Sequence, residues 1–92
     1  MLFSVRLVSR QPSATDSATW QGIVADQLRS VKAQYDQGKI KAIYRETGVG
    51  VLAIYDATDA REMDQLIAQL PMARYFESVT VHAMWDMVPS LE

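Results

Sequence analysis

Ile40-Lys41-Ala42-Ile43-Tyr44-Arg45-Glu46-Thr47-Gly48-Val49-Gly50-Val51-Leu52-Ala53-Ile54-Tyr55 is the stretch on which the fold turns. β-Branched and aromatic residues crowd Ile40–Tyr44 and again Val49–Tyr55. Such side chains pack well on a pleated surface, so both runs read as strands. Glu46-Thr47-Gly48 between them reads as a hairpin turn, with a glycine for the left-handed backbone of a tight reversal. Two strands in direct succession, with helical rhythm on either side, are what set the topology.

Upstream, Trp20, Ile23, Val24, Leu28, Val31 and Tyr35 stack on one side of a 3.6-residue helix that ends at Gly38. The segment Ser9–Ser17, with Pro12 and several small hydroxyl or acidic residues, reads as a loop ending in an N-cap at Asp16 or Ser17. Downstream, Asp59 followed three residues later by Glu62 makes a capping-box-like start. Met63, Leu66, Ile67 and Leu70 form the inward stripe of a second helix, closed by Pro71.

At the ends of the chain the period returns to two. Phe3, Val5 and Leu7 alternate with Ser4 and Arg6, which predicts a strand over Leu2–Val8. Val79, Val81, Ala83 and Trp85 alternate with Ser78, Thr80, His82, Met84 and Asp86, which predicts a last strand over Ser78–Met87. Strand, helix, strand, strand, helix, strand is the split βαβ, or ferredoxin-like, arrangement. It is an α+β fold in which two helices cover one face of an antiparallel four-stranded sheet. First and last strands are neighbours in it, so Ser4 and Arg6 are expected to share the far face with Thr80, His82 and Asp86. That face is amphipathic and suited to water or a second subunit. No repeat, low-complexity run or linker interrupts the chain, and residues 1–92 are expected to form one domain.

Ninety-two residues, 49% of them hydrophobic, suffice for one core, and a domain of this size often gains stability by associating. Without cysteine there is no disulfide framework or thiolate metal site, and His82 alone cannot build a multi-histidine site, so no metal is expected. A net charge of −2 with both signs interspersed lacks the basic stripe that nucleic acid requires. No apolar run is long enough for a bilayer and the start lacks signal-peptide character, so a cytoplasmic protein with no membrane partner is expected.

Gln27 is the foremost candidate for a site. Helical spacing from Trp20, Val24 and Val31 places its amide in the middle of the inward stripe. Burying that amide unpartnered costs on the order of 1 to 3 kcal/mol, so it either bonds within the core or lines a cavity holding water or a ligand. An amide can orient or polarise a substrate but cannot serve as a base. Asp26 is turned about 100° around the helix from it and reads as a solvated charge.

His82 is the one side chain whose ordinary titration range suits acid–base work near neutrality, but its strand phase sets it on the face opposite the helices, as a catalytic or a subunit-interface residue. Phe3, Trp20, Tyr44, Tyr55 and Trp85 are expected on the phase that meets the helices, as core or as substrate-binding residues with polar tips. Lys41, Arg45 and Arg74 offer cations to an anionic substrate, although charges at strand ends and after a helix are normally solvated.

The opening Met1-Leu2-Phe3-x-Val5, the Pro12 loop, Ala25-Asp26, Gly38, Tyr44-Arg45-x-x-Gly48, Tyr55-Asp56, and Gln69-Leu70-Pro71 followed by Tyr75 resemble muconolactone isomerases over almost the whole chain. The resemblance implies a ferredoxin-like subunit that pairs through its sheets as a dimeric α/β barrel and assembles into larger rings, commonly decamers. It also implies cofactor-free migration of a double bond in an unsaturated lactone during breakdown of aromatic compounds, in a pocket between sheet and helices. Such chemistry needs a base and a stabiliser of the dienolate oxygen. The family's first-helix glutamate is replaced by Gln27, and a polar stretch in its third strand by Val49-Gly50-Val51-Leu52. The expectation is therefore an isomerase-like enzyme for a small unsaturated lactone or related cyclic oxygenated metabolite, diverged from the standard reaction. A cofactor-free monooxygenase of the dimeric α/β-barrel type and a non-catalytic binding or accessory oligomer are the alternatives.

Overall fold

A computed structural model describes residues 1–92 and carries the expected order of elements. These are β1 (Leu2–Ser9), α1 (Ser17–Asp36), β2 (Ile40–Glu46), β3 (Gly50–Asp56), α2 (Ala60–Ala68) and β4 (Phe76–Met84), with 3-10 turns at Ala73–Tyr75 and Val88–Leu91. The four strands pair antiparallel in the order β2-β3-β1-β4. Both helices lie on one face, which is the ferredoxin-like α+β arrangement.

Local chemistry sets the element ends. Asp16 caps α1 by accepting from the Thr19 N–H at 2.8 Å, and Asp59 caps α2 by accepting from the Glu62 N–H at 2.8 Å. Gly38, at φ 79°, takes the left-handed position just past the end of α1. The hairpin between β2 and β3 closes with the Val49 N–H donating to the Glu46 carbonyl at 2.9 Å.

The core sits between the helices and the middle of the sheet. Phe3, Val5 and Leu7 of β1, Ala53 and Tyr55 of β3 and Ile40 of β2 meet Met63 and Leu66 of α2 and Leu70 beyond it. Burying each large apolar side chain contributes about 1.5–3 kcal/mol. Only two residues of α1 are buried, and both are glutamines, Gln27 and Gln34.

Four features differ from the sequence pattern. β4 ends at Met84, not Met87, because Met84 already stands opposite Leu2 and β1 offers little backbone beyond it to pair with. Trp85 is therefore 72% exposed instead of facing the helices. Asp86 leaves the sheet with it and accepts from the Val88 N–H at 2.9 Å, so it does not join the far-face group.

Tyr44 too departs from its expected face. Ile40 stands opposite Tyr55 but Ala42 stands opposite Ile54, so β2 carries one extra residue, a bulge at Lys41. One extra residue moves every later side chain to the other face. Ile43 and Arg45 thus turn toward the helices, while Tyr44, 61% exposed, turns away from them.

On the far face Ser4 stands opposite His82 and Arg6 opposite Thr80, in the register that the alternation implies. Arg6 reaches across β3 to grip Glu46 with two contacts, Nε to Oε1 at 2.6 Å and a terminal nitrogen to Oε2 at 3.1 Å. That grip is the leading cause holding the Glu46 carboxyl below its ordinary range. No helix is long and apolar enough to cross a membrane.

Candidate functional site

A cavity of about 120 Å³ opens between α1 and the sheet, at the end of β1 remote from Leu2. Leu7 and Ser9 of β1, Gly50, Val51 and Tyr55 of β3, and Ile43 and Arg45 of β2 form its floor. Gln27, Leu28 and Val31 of α1 roof it, and Met72 and Phe76 close one side. Eight of the twelve lining residues are hydrophobic, the balance expected of a small-molecule site that fixes orientation with a few polar groups. β2 is an edge strand, and the exposure of Ile43 and Leu28 marks the mouth along that edge.

Gln27 is 8% exposed, and its Oε1 accepts from the Met72 backbone N–H at 2.9 Å. That bond fixes which way the amide points, since a backbone donor needs an oxygen and not an NH₂. The Nε2 has no protein partner, yet no buried side-chain nitrogen or oxygen is left unsatisfied, so the Nε2 is not sealed in protein. It is the free end of a cavity-lining side chain and presents two N–H donors to an occupant.

Tyr55 is committed differently. Its hydroxyl donates to Gln34 Oε1 at 2.6 Å, and Gln34 Nε2 donates in turn to the Leu66 carbonyl at 2.9 Å, which ties β3, α1 and α2 together. Burial pushes the phenol up to about 12, so it stays neutral through the physiological range. With its proton spent on Gln34, Tyr55 offers the cavity a ring wall and an acceptor oxygen but no free donor.

Arg45 is the second donor. It forms no ion pair, whereas Arg6, Arg10, Arg29, Lys32 and Lys39 each hold a carboxylate. No aspartate, glutamate, histidine or lysine lines the cavity. Its polar character is therefore dominated by donors, the Gln27 amide and the Arg45 guanidinium, with Ser9 able to donate or accept.

Of the residues that the sequence singles out, Gln27, Tyr55 and Arg45 meet at this cavity. Phe3 lies in the core at 4% exposure, opposite Tyr55. Trp20 packs edge-on against Tyr75, ring centres 5.3 Å apart, and pins the start of α1 to the segment before β4. Tyr44 and His82 are exposed on the far face and Trp85 beyond the end of β4, so none of the three reaches the cavity. Ser9 and Gln34 were not singled out. Gln34 was within reach of the helical pattern, since it follows Gln27 by seven residues and shares its stripe.

A second depression, about 240 Å³ and open to solvent, lies at the other end of the sheet among Gln37, Lys39, Asp56, Thr58 and Glu62. Its charges serve one another: Lys39 Nζ meets Glu62 at 3.0 Å and the Met1 amine meets Asp56 at 3.0 Å. It reads as solvated surface and not as a second site. No cluster of three histidine, aspartate or glutamate side chains gathers to hold a metal.

The family model of muconolactone delta-isomerase matches residues 1–86. A crystal structure of muconolactone isomerase superposes with a TM-score of 0.83 at 22% identity, covering 100% of this chain and 96% of that one. The 5-chloro-2-hydroxyhydroquinone dehydrochlorinase from Burkholderia phenoliruptrix AC1100, in complex with 2,5-dihydroxybenzoquinone, superposes with a TM-score of 0.72 at 18% identity, covering 92% and 94%. No curated protein matches the chain in sequence.

Proposed function

The chain belongs to the muconolactone delta-isomerase family, and from that premise we propose that it is an isomerase-like enzyme acting without a cofactor on a small unsaturated lactone or a related cyclic oxygenated metabolite. The observation that carries this reading is the free Gln27 amide in an apolar cavity between α1 and the sheet. Moving a double bond beside a carbonyl takes a proton from one carbon, places negative charge on the carbonyl oxygen, and returns a proton at another carbon. Two N–H donors aimed at that oxygen in a largely apolar pocket favour the charged intermediate over the neutral substrate. The Tyr55 ring and Val31 supply flat walls for the substrate ring. Since the lining holds no carboxylate or imidazole, water at the mouth carries the proton.

One domain spanning 1–92, working in the cytoplasm as a homodimer or larger ring, completes the proposal. Self-association is supported by apolar surface that the single chain leaves bare: Val79 and Val81 on β4, and Trp85, Met87, Val88 and Leu91 beyond it.

Proton NMR of the purified protein with muconolactone in D2O tests the activity. The reading expects deuterium at the carbon beside the carbonyl, or the shifted double bond, above a no-protein control, and loss of either with Gln27→Leu. Binding of the lactone with neither exchange nor isomerisation would overturn the isomerase assignment while leaving the cavity as a ligand site.

A further inference from the structure

We propose that the cavity takes its ligand as an oxyanion formed before binding, an enolate or phenolate of an acidic ring compound, held between the Gln27 amide and the Arg45 guanidinium. This rests on the reading of the cavity as the ligand site and deepens it by naming the chemical state of the ligand. Four observations converge on it.

The amide of Gln27 cannot rotate to present its oxygen, because the Met72 N–H holds that oxygen at 2.9 Å and would otherwise be orphaned. The Tyr55 hydroxyl hydrogen is held by Gln34 at 2.6 Å and is not available to a ligand. Arg45 turns toward the cavity because of the bulge at Lys41, and no carboxylate neutralises it there. No side chain of the lining is a base at neutral pH, from any element that packs on the cavity: Gln27 on α1, Ser9 on β1, Arg45 on β2 and Tyr55 on β3 are its polar groups.

A site with donors at two points and no side-chain base leaves proton removal to water, and it is better suited still to a ligand that has already lost its proton. Arg45 is exposed at the mouth of the cavity, and within reach of its guanidinium an acidic hydroxyl is stabilised in its ionised form by about 1 pKa unit or more. Its neutral isostere gains from Arg45 a hydrogen bond at most and no charge attraction. A free enol or phenol whose own titration lies near or below neutrality is then the substrate class, and the reaction begins from the anion without an enzymic base.

The probe is 4-nitrophenol, whose ionised form is identified by its visible absorption, beside 4-nitroanisole, which cannot ionise. The proposal expects the bound phenol to titrate at least about one unit below the free compound, with the anisole bound at least about tenfold more weakly than the phenol once the free phenol is fully ionised. NMR shifts should centre on Val31 and Val51 and spare His82 and Tyr44. Arg45→Met should abolish most of the shift in titration. Gln27→Glu should reverse it, because a glutamate keeps an acceptor for the Met72 N–H but turns a charge, not a donor, toward the ligand. That variant preserves the buried bond, so it reads the effect even if Gln27→Leu fails to fold. An unshifted or raised titration, an anisole that binds as well as the phenolate, or binding that Arg45→Met leaves unchanged would overturn the preformed anion and leave the cavity reading intact. Failure of both probes, and of muconolactone, to perturb Val31 and Val51 would overturn the cavity reading itself.

Discussion

Tyr55 and the two glutamines carry the polar order of an otherwise apolar interior. Tyr55→Phe removes the donor to Gln34 and strands an acceptor inside the protein, a loss of about 1–3 kcal/mol in chemical denaturation. The companion Gln34→Leu also strands the Leu66 carbonyl, so the two losses should be strongly non-additive in a double-mutant cycle. The same tyrosine makes a prediction in alkali. Its folded-state titration, pushed up to about 12, lies above the ordinary phenol value, so the folded state holds the proton more tightly. The stability this confers is fully present below about pH 10 and is lost as pH rises toward 12. Denaturant midpoints should fall across that window, and Tyr55→Phe should flatten the fall.

At the level of single residues, the sequence carried Gln27 because Val24 and Val31 bracket it on one helical face, although Leu28 and Tyr35 of the same predicted stripe are 63% and 55% exposed. It named Arg45 only as one of three cations expected to be solvated and set Tyr44 on the helix side, because one bulged residue at Lys41 exchanges their faces and leaves no mark in composition.

Elements show where the scaffold tolerates little. A Cβ added to Gly50 would sit 2.2 Å from the Leu7 carbonyl oxygen, a clash with backbone that cannot swing aside. Gly50→Ala should lower stability by about 1–3 kcal/mol and loosen the cavity floor, measurable by urea denaturation and by the ligand shifts at Val51. Helix starts respond to acid. The Asp16 carboxyl is held low chiefly by the Thr19 N–H, and Glu62 chiefly by the Lys39 ammonium, with Glu46 held low by Arg6. Depressed carboxylates contribute stability that is present above their unfolded values near 4 and is lost as pH falls through the folded ones. Thermal midpoints should therefore drop as pH falls from about 5 to 2, and Asp16→Ala should remove part of that slope. Capping residues, glycines and alternation made the order of these elements legible. The end of β4 was not, because alternation continues through Trp85 while the pairing partner stops at Leu2.

The whole molecule extends 54 Å along one axis against 26 and 20 Å on the others, with a radius of gyration of 14.5 Å, where a compact chain of this length has about 12 Å. The excess length is consistent with a terminal arm, Trp85 to Glu92, whose Trp85 and Leu91 are 72% and 76% exposed. In the oligomer proposed here that arm lies against another copy, and Trp85→Ser with Leu91→Ser should lower the association state in sedimentation while leaving the far-ultraviolet circular dichroism unchanged. An unaltered association state would place the subunit contacts elsewhere, on the far face around Tyr44 and His82.

In the proposed site, ligand binds on the helix side of the sheet with Gln27 as the donor. The most direct measurement is an NMR titration with muconolactone that follows the side-chain amide protons of Gln27 and Gln34 together. The Gln27 amide should move with the Val31 and Val51 methyls while Gln34, bonded to Tyr55 and Leu66, stays in place. A titration in which Gln27 is still and His82, Thr80 and Tyr44 move would put the site on the far face and contradict it.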